Sequence, residues 1–209
     1  MAEMFWHTKF FQNLSYKERS HLESYLSERK LPKDGVLWKL GDEMEKLWVV
    51  KQGRIKEIRN GYNGHEVILQ LRSEGEVVCL PSLFSSESKY TCCEAVAVVP
   101  SVLWTIPVKV FREVIKPQNS FSYYLITELS KELRRAYESE VLLNQVADQR
   151  VVQMLQELNH KFGRVVKITH EEIASLTGLS RETVSRILSD LQNKGVIGTS
   201  RGTILLHKF

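Results

Sequence analysis

The stretch from Thr169 to Asn193 limits the fold of this chain more than any other, because it spells two short helices joined by a glycine turn. Thr169 is a good N-cap, and Glu172, three residues on, can reach back to complete a capping box. The first helix is expected to run to about Leu176. Gly178 supplies the positive φ of a tight turn, and Ala174, four residues earlier, lets a second helix cross closely. Ser180 caps that second helix.

On the second helix Val184, Ile187, Leu188 and Leu191 recur at three- and four-residue spacing and are expected to bury one stripe. Arg181, Glu182, Ser185 and Arg186 are left on other faces near its start. An arginine fork matches the O6 and N7 acceptors of guanine, and a glutamate can accept from N4 of cytosine. These four are therefore the candidate base readers of a DNA-binding helix, with Thr169, His170, Ser180, Thr183 and Arg201 as candidate phosphate contacts. Amphipathic helix pairs also occur as ordinary packing modules; the agreement of caps, small residue, glycine and polar tip favours DNA.

The chain has 209 residues, 43% of them apolar, enough for two modest cores. Its formal charge of +4 is uneven: residues 144–209 hold nine Lys or Arg against six Asp or Glu, so most of the surplus sits where phosphate would be met. No apolar run approaches the roughly 20 residues of a membrane span, and the first residues lack a signal peptide's apolar core. A cytoplasmic location and no membrane partner are expected. Cys79, Cys92 and Cys93 make no disulfide framework, and their spacing matches no zinc or iron-sulfur ligand set, so no metal site is expected.

From Gly35 to about Thr105 short β-rich runs alternate with turns: Val36 to Leu40, Leu47 to Val50, Ile55 to Arg59, Glu66 to Leu71, Val77 to Leu80 and Ala95 to Ile106, punctuated by glycines 41, 53, 61, 64 and 75. Such spacing suggests an antiparallel sandwich or small barrel, preceded by a helical segment over residues 10–28. After Pro107 the period changes. Val108, Phe111, Val114 and Ile115 mark a short helix, and a longer one is expected from about Asn119 to Leu143 with a stripe of Phe121, Leu125, Leu129, Leu133, Ala136 and Leu143. A helix of that length either pairs with a second copy of itself or lies along its own β domain. Residues 144–148 form the expected hinge, with Asp148 as cap of a helix from Gln149 to about His160 that points Val151, Val152, Leu155 and Leu158 inward. Arg164 to Ile168 is a candidate strand. Gly195 to Leu206 reads as a hairpin turning near Arg201 and Gly202, a wing beside the helix pair.

In this order of parts the chain resembles the CRP/FNR family of bacterial transcription regulators. The likeness is strongest over Thr169 to Ile197; the β region adds Gly41-Asp42, Leu47 to Gly53 and Gly75 to Val78, similar to a cyclic-nucleotide-binding β-roll. It implies an α+β chain: an antiparallel β-roll sensor domain over 1–106, helices including a long dimerisation helix over 107–143, and a winged helix-turn-helix DNA-binding domain over 144–209. It also implies a homodimer joined through the long helix, double-stranded DNA as ligand and RNA polymerase as partner. In one branch of the family residues matching Arg181, Glu182 and Arg186 read TGTGA-type half-sites, and in another a Glu-x-x-Ser-Arg pattern reads TTGAT-type half-sites. This chain carries both patterns, so a palindrome with a TGA core is expected, its half-sites about 34 Å apart.

The resemblance also narrows the effector. Cyclic-AMP-binding members place a Gly-Glu pair on the ribose and an Arg-Ser pair on the cyclic phosphate; the matching positions here are Cys79-Leu80 and Tyr90-Thr91. An apolar Leu80 accepts no ribose hydroxyl and Tyr90 brings no cation, so no cyclic AMP response is expected. The N-terminal cysteine cluster of oxygen-sensing members is missing, which disfavours an iron-sulfur cluster. No histidine lies near Cys79 in sequence, which disfavours haem; His7 and His65 are expected at the surface. No cofactor is expected. The remaining candidate pocket comprises Cys79, Leu80, Pro81, Ser82, Tyr90, Thr91, Lys131, Arg135 and Ala136. It either takes a small anionic effector, with Lys131 or Arg135 as the cation, or is filled by Leu80, Pro81 and Tyr90. Cys92 and Cys93, placed on a strand, are expected to point to opposite faces; inert core thiols are expected, with a Cys79–Cys92 redox pair as the alternative. A different functional class, a small-molecule or redox sensor acting through a protein partner, stays open. An enzyme is not expected, since no nucleophile, base and orienting group stand in a recognisable motif.

Overall fold

The computed structural model describes residues 6–8, 10–12, 14–61, 65–84, 90–115 and 120–207. Two compact units emerge, residues 1–59 with 69–133, and residues 60–68 with 134–209.

The first unit begins with α1 (Tyr16–Glu23), set by a capping box between Ser15 and Glu18. The helical reading of residues 10–28 is corrected at both ends. Phe10 and Phe11 lie in turns and pack edge-on against each other and onto Phe111 and Phe121, where aromatic burial outweighs helix continuation. Past Leu26 the chain enters β1 (Ser27–Leu31), which pairs antiparallel with β7 (Ser101–Pro107); the partner strand decides this, since Ser-Glu-Arg-Lys-Leu has no strong local preference.

Two antiparallel sheets follow. One has the order β1-β7-β3, with β3 at Lys46–Gln52; the other has β2 (Val36–Trp38), β6 (Glu94–Ala97), β4 (Ile55–Asn60) and β5 (Glu66–Arg72). Leu47 to Val50 are all buried, so β3 is covered on both faces and reads as a continuous apolar run rather than an alternation. Gly53, at φ 98°, turns β3 into β4, and any Cβ there would stand 2.9 Å from the Pro100 carbonyl. The expected strand from Ala95 to Ile106 is two strands, broken at Val98 to Pro100. The expected strand from Val77 to Leu80 is also corrected: Val77 makes a single bridge to Val49, and Cys79, at φ 54°, bends the chain into the short α2 (Leu80–Phe84). Gly64 and Asn119 lie outside the described residues.

The unit closes with α3 (Val108–Val114) and the long α4 (Ser120–Leu143), which continues into the second unit. The stripe read from sequence divides. Phe121 and Leu125 are buried in the core of the first unit, whereas Leu133, Ala136 and Leu143 are exposed, and Leu142 is buried in place of Leu143.

In the second unit α5 (Ala147–Phe162) starts two residues earlier than expected, with Val146 at the N-cap; Asp148 sits in the first turn, where its charge suits the helix dipole without capping it. Val151, Leu155 and Leu158 are buried as expected. Val152 is only half-buried, and Met154 is buried instead. The three-stranded sheet β8 (Val165–Val166), β10 (Thr203–Leu206), β9 (Ile197–Ser200) closes the core around α6 (His170–Thr177) and α7 (Arg181–Asn193), with Val166, Ile197 and Ile204 buried. Among the described residues no helix is long and apolar enough to cross a membrane.

Candidate nucleic-acid interface and a buried thiol cluster

The α6–α7 pair is built by local chemistry. The Thr169 hydroxyl accepts from the Glu172 amide at 3.1 Å, while a Glu172 carboxylate oxygen accepts from the Thr169 amide at 2.7 Å. Gly178 takes the left-handed conformation at φ 64°, and the Arg150 guanidinium donates to the Thr177 carbonyl at the end of α6. The Ser180 side chain caps α7 by accepting from the Thr183 amide, and the two hydroxyls share a further hydrogen bond of 2.9 Å.

With Val184, Ile187 and Leu188 buried, Arg181, Glu182 and Arg186 are turned to solvent. Arg186 pairs loosely with Asp190, 3.8 Å away on its own helix. Ser185 is half-buried and its hydroxyl lies 2.8 Å from Nδ1 of His170, so it links α7 to the start of α6 rather than projecting freely. A groove of about 300 Å³ brings Thr169, His170 and Arg181 beside Ser200, Gly202 and Thr203 of the wing. Arg201 is exposed in the wing turn. The start of α6, Arg181 and the wing thus share one polar edge of suitable chemistry for a phosphate backbone and base edges.

The residues proposed for an effector pocket part company. Leu80, Ser82 and Thr91 are buried, whereas Pro81 is exposed and Tyr90 is 58% exposed, so of the three residues expected to fill the pocket only Leu80 turns into the core. Lys131 is exposed and pairs with Glu128 at 2.6 Å on its own helix. Arg135 and Ala136 are exposed residues of the second unit.

The cation that is buried here is one that sequence reasoning missed. Arg72, at the end of β5, is 4% exposed and donates from Nε to Glu57 Oε1 at 2.6 Å and from Nη1 to Glu132 Oε1 of α4 at 2.7 Å. Glu57, also 4% exposed, accepts in addition from the Cys79 amide at 2.7 Å. Burial works against the Arg72 charge, but the two carboxylates more than offset it and push its pKa further up. A signal existed: Glu57 stands at an inward position between Ile55 and Ile58, where a lone charge would be costly without a partner.

Folding also brings the three cysteines together, correcting the expectation that Cys92 and Cys93 face apart. Neither lies on a strand, since β6 begins only at Glu94. The 90–93 segment is instead pinned to the end of β2 and the loop after it: the Thr91 hydroxyl donates to the Lys39 carbonyl, the Thr91 amide to the Asp42 carbonyl, and the Trp38 indole to the Cys93 carbonyl. Cys79 Sγ lies 3.5 Å from Cys92 Sγ and 3.5 Å from Cys93 Sγ, and all three sulfurs fall within 4.8 Å of one another. Ser82 Oγ, 3.0 Å from Cys79 Sγ, accepts from the Cys92 amide. Cys79 and Cys93 are buried and Cys92 is exposed. Hydrogen bonds from Cys79 and then Cys93 hold the Cys92 thiol well below its ordinary pKa. The hydrogen bond to Cys92 and then burial raise Cys79, and those to Cys79 and Cys92 raise Cys93. His7 and His65 are exposed, as expected.

Two domain families match this chain: a Crp-like helix-turn-helix domain over residues 149–209 and a cyclic nucleotide-binding domain over residues 28–118. The cyclic AMP receptor protein of Thermus thermophilus is 30% identical over 196 residues, covering 93% of this chain and 90% of that protein. The anaerobic regulatory protein of Bacillus subtilis is 26% identical, covering 90% and 82%. Among solved structures, FixK2 from Bradyrhizobium japonicum shares the fold with a TM-score of 0.76 at 21% identity, covering 88% of this chain and 93% of that one.

Proposed function

Because the chain belongs to the CRP/FNR family of transcription regulators and carries its DNA-binding helix-turn-helix domain, we propose that it works as a homodimer closed through α4, reading an inverted repeat with TGA-containing half-sites without cyclic AMP. The observation that carries this is the tip of α7: Arg181, Glu182 and Arg186 stand exposed on a helix whose other side is locked into the core, beside a wing that can brace on phosphate. Thr169 and His170, which line the groove beside the wing, together with Ser180, Thr183 and Arg201 are assigned as phosphate contacts.

An apolar stripe on α4 supports the dimer. Tyr123, Ile126, Leu133, Tyr137 and Val141 are all exposed and recur at three- and four-residue steps with Ser130 between, the pattern that two helices bury against each other. Independence from cyclic AMP is supported by Leu80 and Tyr90. One is an apolar side chain in the core and the other a solvent-facing phenol, and Arg72 is committed to two carboxylates. Through such sites the protein acts on RNA polymerase at promoters in the cytoplasm.

The test is selection from random duplex DNA with the purified chain, alongside sedimentation. Enrichment of a TGA-bearing palindrome by a dimer, unchanged by added cyclic AMP, is the expected result. A monomer that enriches nothing under oxidised or reduced conditions overturns the reading and transfers the output to a protein partner.

A further inference from the structure

We propose that Cys79, Cys92 and Cys93 form a three-thiolate site for a soft, thiophilic metal ion, and that its occupancy is passed to α4 through Glu57, Arg72 and Glu132. The site rests on geometry. A thiolate sulfur bonds such an ion at about 2.3 Å, so sulfurs sharing one ion at ordinary bond angles stand roughly 3.5 to 4.0 Å apart. The observed separations of 3.5, 3.5 and at most 4.8 Å need only a small closure of the widest pair.

The donor set fixes the class. Among the described residues the group contains no histidine or carboxylate, and three sulfurs alone select soft ions over magnesium, calcium or manganese. Cys92 is exposed and gives the ion a way in, while buried Cys79 and Cys93 form the floor. On binding, three sulfur–metal bonds form, any thiol protons leave to solvent, and no electrons are transferred. Cys79 occupies the left-handed region at φ 54°, where glycine would fit without strain; the strained position places a sulfur at the centre of the cluster.

Transmission follows hydrogen bonds already in place. The Cys79 amide is anchored on Glu57, Glu57 holds Arg72, and Arg72 holds Glu132 on α4. Closing Cys92 and Cys93 onto an ion shared with Cys79 therefore loads Cys79, one end of a buried ionic chain whose other end is the helix assigned to the dimer. This second step rests on the proposed function, whereas the site does not.

Reduced protein is titrated without oxygen, with zinc ion in one series and cuprous ion in another, and the bound metal is counted after gel filtration. One ion per chain is expected in at least one series, with Cys92→Ser weakening it by more than about 100-fold, beyond the loss of an outer partner. Since Cys92 is exposed, that variant should keep the circular dichroism and melting of the parent. Absence of retained metal in both series overturns the site. So does undiminished binding by Cys92→Ser, or a Cys79–Cys92 disulfide forming on mild oxidation in a chain that binds neither ion. For transmission, metal should change affinity for the selected palindrome at least about fivefold, and Glu132→Gln should abolish that change while leaving metal binding intact. Metal binding with unaltered DNA affinity overturns the transmission and leaves the site standing; failure to select any palindrome overturns the DNA reading alone.

Discussion

Arg72 and Arg186 carry the same guanidinium into opposite circumstances. Arg72 is sealed in the first unit between two carboxylates at 2.6 and 2.7 Å, while Arg186 lies in water with Asp190 as a loose partner at 3.8 Å. Desolvation makes the first pairing obligatory, because an unpartnered charge in that place costs far more than the pair contributes. Solvent makes the second nearly free to leave, so in the proposed function Arg186 exchanges Asp190 for a guanine at little cost. What a charged side chain is available to do depends on its surroundings more than on its type.

The most forceful way to break the contrast is Arg72→Met. It leaves Glu57 buried without its cation and should lower stability by about 3–5 kcal/mol, read as a reduced midpoint in urea. Adding Glu57→Leu should recover part of that loss, because an apolar pair replaces the ions while the Cys79 amide loses its acceptor; a double variant less stable than the single would mean that the amide contact outweighs the stranded charge. Arg186→Ala should reverse the pattern. Its folding stability should move by no more than about 0.5 kcal/mol, while affinity for the selected palindrome falls by about 1–3 kcal/mol and base choice relaxes at one position. Equal loss on unrelated DNA would reduce Arg186 to a phosphate contact. Thr169→Ala, which removes one half of the α6 capping box, should cost about 1 kcal/mol in thermal unfolding. Asp190→Ala should change stability by less than about 0.5 kcal/mol, and a larger effect would show that the Arg186 pair is tighter than its exposure suggests.

The winged helix was legible almost residue by residue, since each of its signals acts over three or four positions. Thr169 and Glu172 cap α6, Gly178 turns the chain, Ser180 caps α7, and of the expected stripe Val184, Ile187 and Leu188 are buried while Leu191 is half-buried. The β-roll was legible as a set of strands but not as a pairing scheme. β1 takes its conformation from β7, more than 70 residues later, and nothing local in Ser27 to Leu31 announces it. The long helix was legible in length, but the point at which its buried stripe gives way to an exposed one depends on how far the first core extends.

By itself, then, the sequence determined the helix-turn-helix, the order of the parts and the polar tip of α7, because capping, turn conformation and helical period are short-range effects. Only the tertiary structure decided that Cys79 meets Cys92 and Cys93, and that Arg72 lies between Glu57 and Glu132. These contacts join positions 13 to 60 residues apart, brought together by the bend at Cys79, the pinned 90–93 segment and the packing of α4 on its own β unit. Spacing along a chain cannot report a distance that the closing of a core creates.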